Sequence, residues 1–223
     1  MDGVTTIAID DADAPALAAR AIAAGGVIAF PTDTVYGLGA SLWRPDAIAR
    51  LYALKGRPDE KALPVLLADT ARWADVASDA SAAALRLMDS FWPGALTIVL
   101  PRRPEVPDAV GPLTSTIALR VPAHAALRRV LARTGPLASS SANRSGQPPL
   151  MTAEQTRIEL GQGLALALDG GALPARPPST VVDATGTGPE PVILRQGAIT
   201  AGEIARVLAS PRAHGPHPHP VAT

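Results

Sequence analysis

The chain has 223 residues, of which 47% are apolar and 18% charged, a balance that excludes wholesale disorder and allows one large folded domain. Its 20 basic and 20 acidic side chains cancel, so no overall charge attracts it to nucleic acid or to an anionic membrane. It has no cysteine, which excludes disulfides, thiolate metal sites and thiol nucleophiles.

Neither a basic N-terminal region nor an apolar run of about 18 residues occurs in the sequence, which predicts a cytoplasmic protein without a membrane segment. The C-terminal segment 210–223 holds three of the four histidines among proline, glycine and alanine residues. That composition predicts a flexible tail after a folded domain at 1–209. Metal binding by the tail histidines is the alternative.

Helical and strand-like patterns alternate along the body of the chain. An Ala-rich helix at 14–24 ends at Gly25-Gly26, and a buried strand at 27–30 stops at Pro31. Later helices are predicted at 46–54, at 79–91 with Asp79 as N-cap, at 124–132, and after the capping pairs Thr152/Gln155 and Thr200/Glu203. Later apolar runs and strands are predicted at 63–68, 95–100, 116–121, 164–168, 180–183 and 192–194. This order predicts one α/β domain, with a mixed sheet because several connections are too short for helical crossovers.

The signatures of common nucleotide-binding loops and hydrolases are missing. The sequence contains no Gly-x-x-x-x-Gly-Lys-Ser/Thr, no Gly-x-Gly-x-x-Gly and no Gly-x-Ser-x-Gly segment. His124 is the only histidine before the tail, so a Ser-His-Asp triad and a zinc hydrolase site are both disfavoured.

Segment 55–61 concentrates positive charge on a Gly/Pro-bent loop after a helix. Its two lysines, Lys55 and Lys61, are the only ones in the chain, and they flank Arg57. Ammonium and guanidinium groups together can hold different oxygens of one polyphosphate, whereas the alternative is a solvated loop balanced by Asp59 and Glu60.

The second candidate segment, 31–39, follows the first predicted strand and reads Pro-Thr-Asp-Thr-Val-Tyr-Gly-Leu-Gly. Hydroxyl groups and glycines at a strand end suit a backbone that a ligand approaches closely. A turn in which the Thr and Asp side chains satisfy their own backbone explains the same residues equally well.

The third candidate segment lies in a predicted polar loop at 139–149. Residues 139–146 supply four hydroxyls, the Asn143 amide and the Arg144 guanidinium, a set that suits a ribose, a phosphate or a carboxylate. A plain polar surface loop is the alternative.

Two arginines lie in or beside apolar strands. Arg120 belongs to the predicted strand 116–121, and Arg195 follows 192–194. A buried guanidinium needs a partner anion, from the protein or from a ligand, and the sequence favours a ligand.

Six segments resemble, in order, those of the YrdC-like family of threonylcarbamoyl-AMP synthases. They are 31–39 (PTDTVYGLG), 55–58 (KGRP), 116–122 (TIALRVP), 141–146 (SANRSG), 179–183 (STVVD) and 194–197 (LRQG). The resemblance covers about residues 10–208 and is to the short, single-domain form. It implies a twisted mixed sheet with flanking helices around a concave basic cavity.

The resemblance further implies that ATP, L-threonine and bicarbonate are joined into threonylcarbamoyl-adenylate, with Mg²⁺ assisting, for modification of the tRNA adenosine beside the anticodon. Lys55 and Arg57 become the candidate catalytic residues, and we expect Lys55→Ala or Arg57→Ala to abolish turnover without changing the melting temperature, since solvated charges contribute little stability. The implied nucleotide contacts are Lys55, Arg57, Lys61, Thr116, Ser141, Asn143, Pro149 and Arg195. The implied threonine contacts are Thr34, Arg120, Ser139 and Ser179. No dedicated metal-binding residues are predicted.

Two alternatives stay open. Residues 101–133 contain six arginines against Glu105 and Asp108, a surplus that fits an RNA-binding module, including contact with tRNA or double-stranded RNA. A relative with the same cavity and another substrate is the second alternative. In the synthase reading, the expected partners are the downstream tRNA-modification proteins that accept the adenylate.

Overall fold

The computed structural model describes residues 4–56, 62–108, 115–186 and 191–210. The helices in this part of the chain are α1 (Ala14–Ala23), α2 (Pro45–Lys55), α3 (Ala82–Phe91), α4 (Ala125–Thr134), α5 (Ala153–Leu160) and α6 (Ala201–Ala209). The strands are β1 (Thr6–Ala8), β2 (Ile28–Pro31), β3 (Tyr36–Ser41), β4 (Val65–Leu66), β5 (Leu96–Pro101), β6 (Thr116–Arg120), β7 (Leu137–Ser141), β8 (Leu166–Asp169), β9 (Thr180–Asp183) and β10 (Val192–Arg195).

Most helix boundaries follow from local chemistry. Proline at the first turn starts α1 and α2, and α2 ends at Gly56 in the left-handed conformation, with φ of 57°. The predicted capping box of Thr200 and Glu203 is present at the start of α6. The predicted N-cap of α3 is wrong, because the Ser81 hydroxyl accepts the hydrogen bond from the Ala84 amide.

The described strands form one mixed sheet in the order β1-β8-β2-β3-β7-β4-β6-β5-β9-β10. Four neighbouring pairs are parallel, namely β1/β8, β2/β8, β4/β6 and β5/β9, and the other five are antiparallel. The predicted fold class, α/β with a mixed sheet and flanking helices, is therefore confirmed. No helix in the described ranges has the length and apolar character needed to cross a bilayer.

Two predictions for local structure are wrong. Segment 36–41 forms strand β3, although the sequence suggested only a turn and a ligand-binding segment there. The predicted polar loop begins later than expected, because β7 extends through Ser141 and pairs with β3. Serine and glycine are weak strand formers, so the cross-strand hydrogen bonds of the interior of the sheet decide both elements.

The glycines of β3 make room for an aromatic ring. A Cβ atom on Gly37 or Gly39 would lie 2.9 or 2.7 Å from the ring of Phe30 in the paired strand β2. Their small size therefore serves packing in the core, and the predicted close approach of a ligand is not needed to explain them.

The core has two parts, one on each face of the sheet. On one face, apolar residues of the neighbouring strands β3, β7, β4, β6, β5 and β9 pack beneath α2, α3, α5 and α6. On the other face, α1 and α4 cover only the half of the sheet built from β1, β8, β2, β7 and β4. The alternate residues of β5, β6 and β9, including Thr97, Thr116 and Arg120, belong to neither described cluster. This half of the face includes the polar side chains of Thr97 and Arg120, both of which are buried.

Candidate active site

The turn between β2 and β3 is organised by Thr32. Its hydroxyl accepts hydrogen bonds from the amides of Thr34 (3.0 Å) and Val35 (3.1 Å), and it donates to the Val35 carbonyl (2.7 Å). The alternative of a self-satisfied turn is therefore correct for Thr32. These hydrogen bonds fix the backbone of Asp33 and Thr34, and the Thr34 side chain is buried.

Arg120, at the end of β6, reaches this turn from across the sheet. Its Nη2 donates to Asp33 Oδ1 (2.7 Å), its Nη1 to Thr34 Oγ1 (3.2 Å) and its Nε to the Gly94 carbonyl (3.0 Å). The Arg120 and Asp33 side chains are only 8% and 13% exposed. The sequence favoured a ligand as the partner anion, whereas the structure supplies a carboxylate of the protein itself.

Lys55 holds the loop after β7. Its ammonium group donates to the carbonyls of Ser141 (2.5 Å) and Asn143 (2.7 Å) and to Asn143 Oδ1 (3.2 Å). The residue is only 2% exposed, so the expectation of a solvated loop charge is wrong for Lys55. Direct contact with phosphates stays a prediction, and it would require exchange of one of these bonds.

The Asn143 side chain closes the same loop. Its Nδ2 donates to the carbonyls of Arg144 (2.8 Å) and Gln147 (2.7 Å), and its Oδ1 accepts from the Ser141 hydroxyl as well as from Lys55. Lys55, Ser141 and Asn143 thus form one connected polar cluster. The plain surface-loop alternative is wrong for these residues, because Asn143 is buried.

Two further predicted site residues, Ser179 and Arg195, are in contact at the start of β9. Ser179 is buried, and its hydroxyl shares a hydrogen bond with Thr97 Oγ1 (2.9 Å). Arg195 Nη2 donates to the Ser179 carbonyl (2.9 Å) and to the Ser179 hydroxyl (3.3 Å). Arg195 itself is exposed, so the expectation of a buried guanidinium is wrong there.

The remaining predicted residues are more dispersed. Ser139 lies on β7 and donates its hydroxyl to the Pro64 carbonyl (3.1 Å), Thr116 begins β6 half-buried, and Pro149 is exposed. Arg57 and Lys61 lie outside the described residues, and so does nearly all of the predicted tail. A surface groove of about 750 Å³ between α1, α2 and segment 162–165 contains none of the predicted site residues.

The sequence analysis missed Asp33 as a partner of Arg120 and Thr97 as a partner of Ser179. Thr97 carried a usable signal, since it is the polar residue between Leu96 and Ile98 in an otherwise apolar strand. Asp33 carried none beyond its place in the motif, because its partner is 87 residues away in the chain.

Two groups near the site have shifted pKa values. Burial lowers the pKa of His124, although the charges of Asp10 and Asp33 oppose this shift. Burial also raises the pKa of Tyr36, whose hydroxyl donates to the Gly171 carbonyl (2.8 Å) and accepts from the Gly170 amide (3.0 Å). Both side chains are therefore neutral at pH 7, and Tyr36 anchors the segment after β8.

Comparison with known proteins identifies the family. The family model for Sua5, YciO and YrdC proteins, described as "Telomere recombination", matches residues 20–197. The chain belongs to this family. The resemblance found in the six sequence segments is thereby confirmed, while the basic cavity and the domain boundary at residue 209 stay predictions.

Individual family members agree with this assignment. A putative threonylcarbamoyl-AMP synthase of Mycobacterium tuberculosis is 39% identical over 86% of this chain and 87% of its own length. The Bacillus subtilis threonylcarbamoyl-AMP synthase is also 39% identical over 86% of this chain, which spans 56% of that relative. The structure of Pyrococcus abyssi Sua5 complexed with L-threonine matches with a TM-score of 0.85 and 33% identity, over 95% of this chain and 62% of that protein.

Proposed function

We propose that this chain is a threonylcarbamoyl-AMP synthase. It joins L-threonine, bicarbonate and ATP into threonylcarbamoyl-adenylate and pyrophosphate, and the adenylate serves the modification of the tRNA adenosine beside the anticodon. The names of its relatives support this activity, as does the L-threonine in the Pyrococcus structure. The proposal includes a cytoplasmic location and transfer of the adenylate to downstream tRNA-modification proteins.

The observation that carries the proposal is the arrangement of donors on Arg120. A guanidinium has five N–H donors, and three of those on Arg120 are used by Gly94, Thr34 and Asp33. The other two have no partner in the described part of the chain, and they lie on a mostly buried planar fork that suits a carboxylate. We propose that they bind the threonine carboxylate, and that Thr34, Ser139 and Ser179 complete the threonine contacts.

The nucleotide is proposed to lie against the loop that Lys55 organises. Its proposed contacts are Lys55, Arg57, Lys61, Thr116, Ser141, Asn143, Pro149 and Arg195. Within the described residues, Lys55 positions Ser141 and Asn143 through its three hydrogen bonds and adds a positive charge where the phosphates would lie.

The proposed chemistry depends on positioning and on positive charge. When a carbamate oxygen attacks the α-phosphorus, negative charge grows on the phosphoryl oxygens and on the departing pyrophosphate. Fixed cations stabilise that charge, and little acid–base catalysis is required. The described residues contain no group of three or more candidate metal ligands, so the proposed Mg²⁺ would be carried by the nucleotide phosphates.

The RNA-binding alternative gains no support from the described residues. Four of the six arginines at 101–133 are paired with carboxylates, which removes most of the apparent surplus of charge. The pairs are Arg102–Asp108, Arg103–Glu105, Arg120–Asp33 and Arg129–Asp10.

Pyrophosphate release tests the proposal. We expect purified protein to release pyrophosphate from ATP only when L-threonine and bicarbonate are both present, and mass spectrometry should detect the adenylate. Arg120→Lys removes the fork, and it should lower kcat/KM for L-threonine about 100-fold. Arg129→Ala removes an exposed, paired arginine and should match the wild type. Absence of L-threonine-dependent release would contradict the proposal.

A further inference from the structure

The Asp33 carboxylate does not accept the backbone hydrogen bonds that an aspartate in a tight turn usually accepts. Such a carboxylate commonly accepts hydrogen bonds from the amides that follow it. Here the Thr32 hydroxyl accepts from both of those amides, at Thr34 and Val35. The Asp33 carboxylate is therefore available for another contact.

Only one of the two Asp33 carboxylate oxygens is used within the described part of the chain. Oδ1 accepts from Arg120 Nη2 at 2.7 Å, and no other hydrogen bond to this carboxylate occurs among the described residues. The side chain is 13% exposed, so it keeps some access to solvent. An ionised carboxylate has lone pairs for several donors, so most of its accepting capacity is unused.

The pair of Asp33 and Arg120 thus presents two opposite charges side by side. With respect to the described residues, Arg120 keeps two N–H donors and Asp33 keeps one oxygen without a partner. A free α-amino acid presents the complementary groups, a carboxylate and an ammonium separated by a single carbon atom. Resting on the function proposed above, we infer that Asp33 binds the α-ammonium group of the amino acid whose carboxylate Arg120 binds.

The surroundings of Asp33 leave it available for that ammonium. His124 interacts electrostatically with Asp33, and burial lowers the pKa of this histidine. The imidazole is neutral at pH 7 and also uses Nδ1 to accept from the Leu127 amide (3.3 Å). Arg120 is the only described cation directly paired with Asp33, and the ammonium of the ligand offsets the negative charge that the ligand carboxylate adds beside this pair.

This role differs from simple support of Arg120. If Asp33 only orients the guanidinium, its loss weakens every carboxylate ligand equally. If it binds the ammonium, its loss weakens only ligands that carry one, and the site discriminates amino acids from the corresponding hydroxy or unsubstituted acids. A charge-assisted contact of this kind corresponds to a factor of about 10 to 100 in affinity.

Two ligands separate these roles. L-threonine has the ammonium, and 3-hydroxybutyrate keeps the carboxylate and the hydroxyl but lacks the amino group. We expect the wild type to bind L-threonine at least about tenfold more tightly, as measured by calorimetry and by ligand-observed NMR for weak binding. Equal affinities would overturn the inference without any variant. Failure of the wild type to bind L-threonine would instead count against the proposed function.

The isosteric variant Asp33→Asn keeps an acceptor for Arg120 and loses the charge. We expect it to weaken L-threonine binding about tenfold or more while 3-hydroxybutyrate binding changes less than about twofold, and Asp33→Glu should restore part of the loss. Asp10→Asn removes a carboxylate from an exposed aspartate–arginine pair and is the matched control. Equal weakening of both ligands, or unchanged L-threonine affinity in a variant with a normal melting temperature, would overturn the inference.

Discussion

Removal of the Lys55 ammonium tests the most strongly connected part of the site. Lys55→Met keeps most of the apolar stem but removes the donor shared by the carbonyls of Ser141 and Asn143 and by the Asn143 side-chain oxygen. The Ser141 carbonyl keeps the Asn143 amide and Asn143 Oδ1 keeps the Ser141 hydroxyl, so among the described residues the Asn143 carbonyl alone loses its donor. One unsatisfied buried carbonyl costs about 1–3 kcal/mol, and the loss of the other charge-assisted hydrogen bonds adds about 1 kcal/mol. We therefore expect a total loss of about 2–4 kcal/mol in the free energy of unfolding.

For a chain of this size, each kcal/mol lowers the melting temperature by about 2–4 °C, so the expected decrease is about 4–16 °C. Differential scanning calorimetry measures it directly. The control is Arg144→Ala in the same loop, whose exposed side chain makes no hydrogen bond or ion pair in the described structure, and its Tm should stay within about 2 °C. A normal Tm for Lys55→Met would refute the reasoning and restore the original expectation of a solvated lysine.

Two further predictions concern packing and pH. Gly37→Ala places a methyl group against the Phe30 ring and should lower the free energy of unfolding, measured by urea denaturation, by about 1–3 kcal/mol. Combining it with Phe30→Leu should recover part of that loss, and strictly additive effects of the two substitutions would contradict this contact. His124 caps the N-terminus of α4 through its unprotonated Nδ1, and its pKa in the folded protein is lowered. Its contribution to stability is therefore present above pH 6.5, the ordinary pKa of histidine, and is lost as the pH falls through the lower pKa of the folded state. His124→Asn keeps a capping group that does not titrate, so melting curves between pH 7 and 5 should show less acid destabilisation than in the wild type, and identical pH profiles would count against this role.

Local patterns predicted the helices well because their signals lie within a few residues. The prolines at the start of α1 and α2, the glycines that follow them and the box of Thr200 and Glu203 each act on one turn of helix. Strands β3 and β7 gave no comparable signal. Their glycines and serines become strand residues only because each strand has neighbours on both sides in the sheet.

The candidate site shows the same division between local and distant information. The motif 31–39 indicated where a site would lie, but it did not reveal that Thr32 satisfies the turn and leaves Asp33 for Arg120. Lys55 looked like a member of a solvated basic loop because its neighbours in sequence are charged. The structure buries it, because its hydrogen-bond partners, 86 and 88 residues away, lie in the loop after β7.

The amino-acid sequence by itself determined the α/β class, most helices, the positions of the polar segments and the family. Only the tertiary structure decided which charges are buried, which acceptors they meet and which donors stay available for a ligand. The physical reason is the separation of the interacting residues along the chain. Capping and periodicity act over one or two turns of helix, whereas Arg120 meets Asp33, and Lys55 meets Asn143, only after the sheet has brought distant segments together.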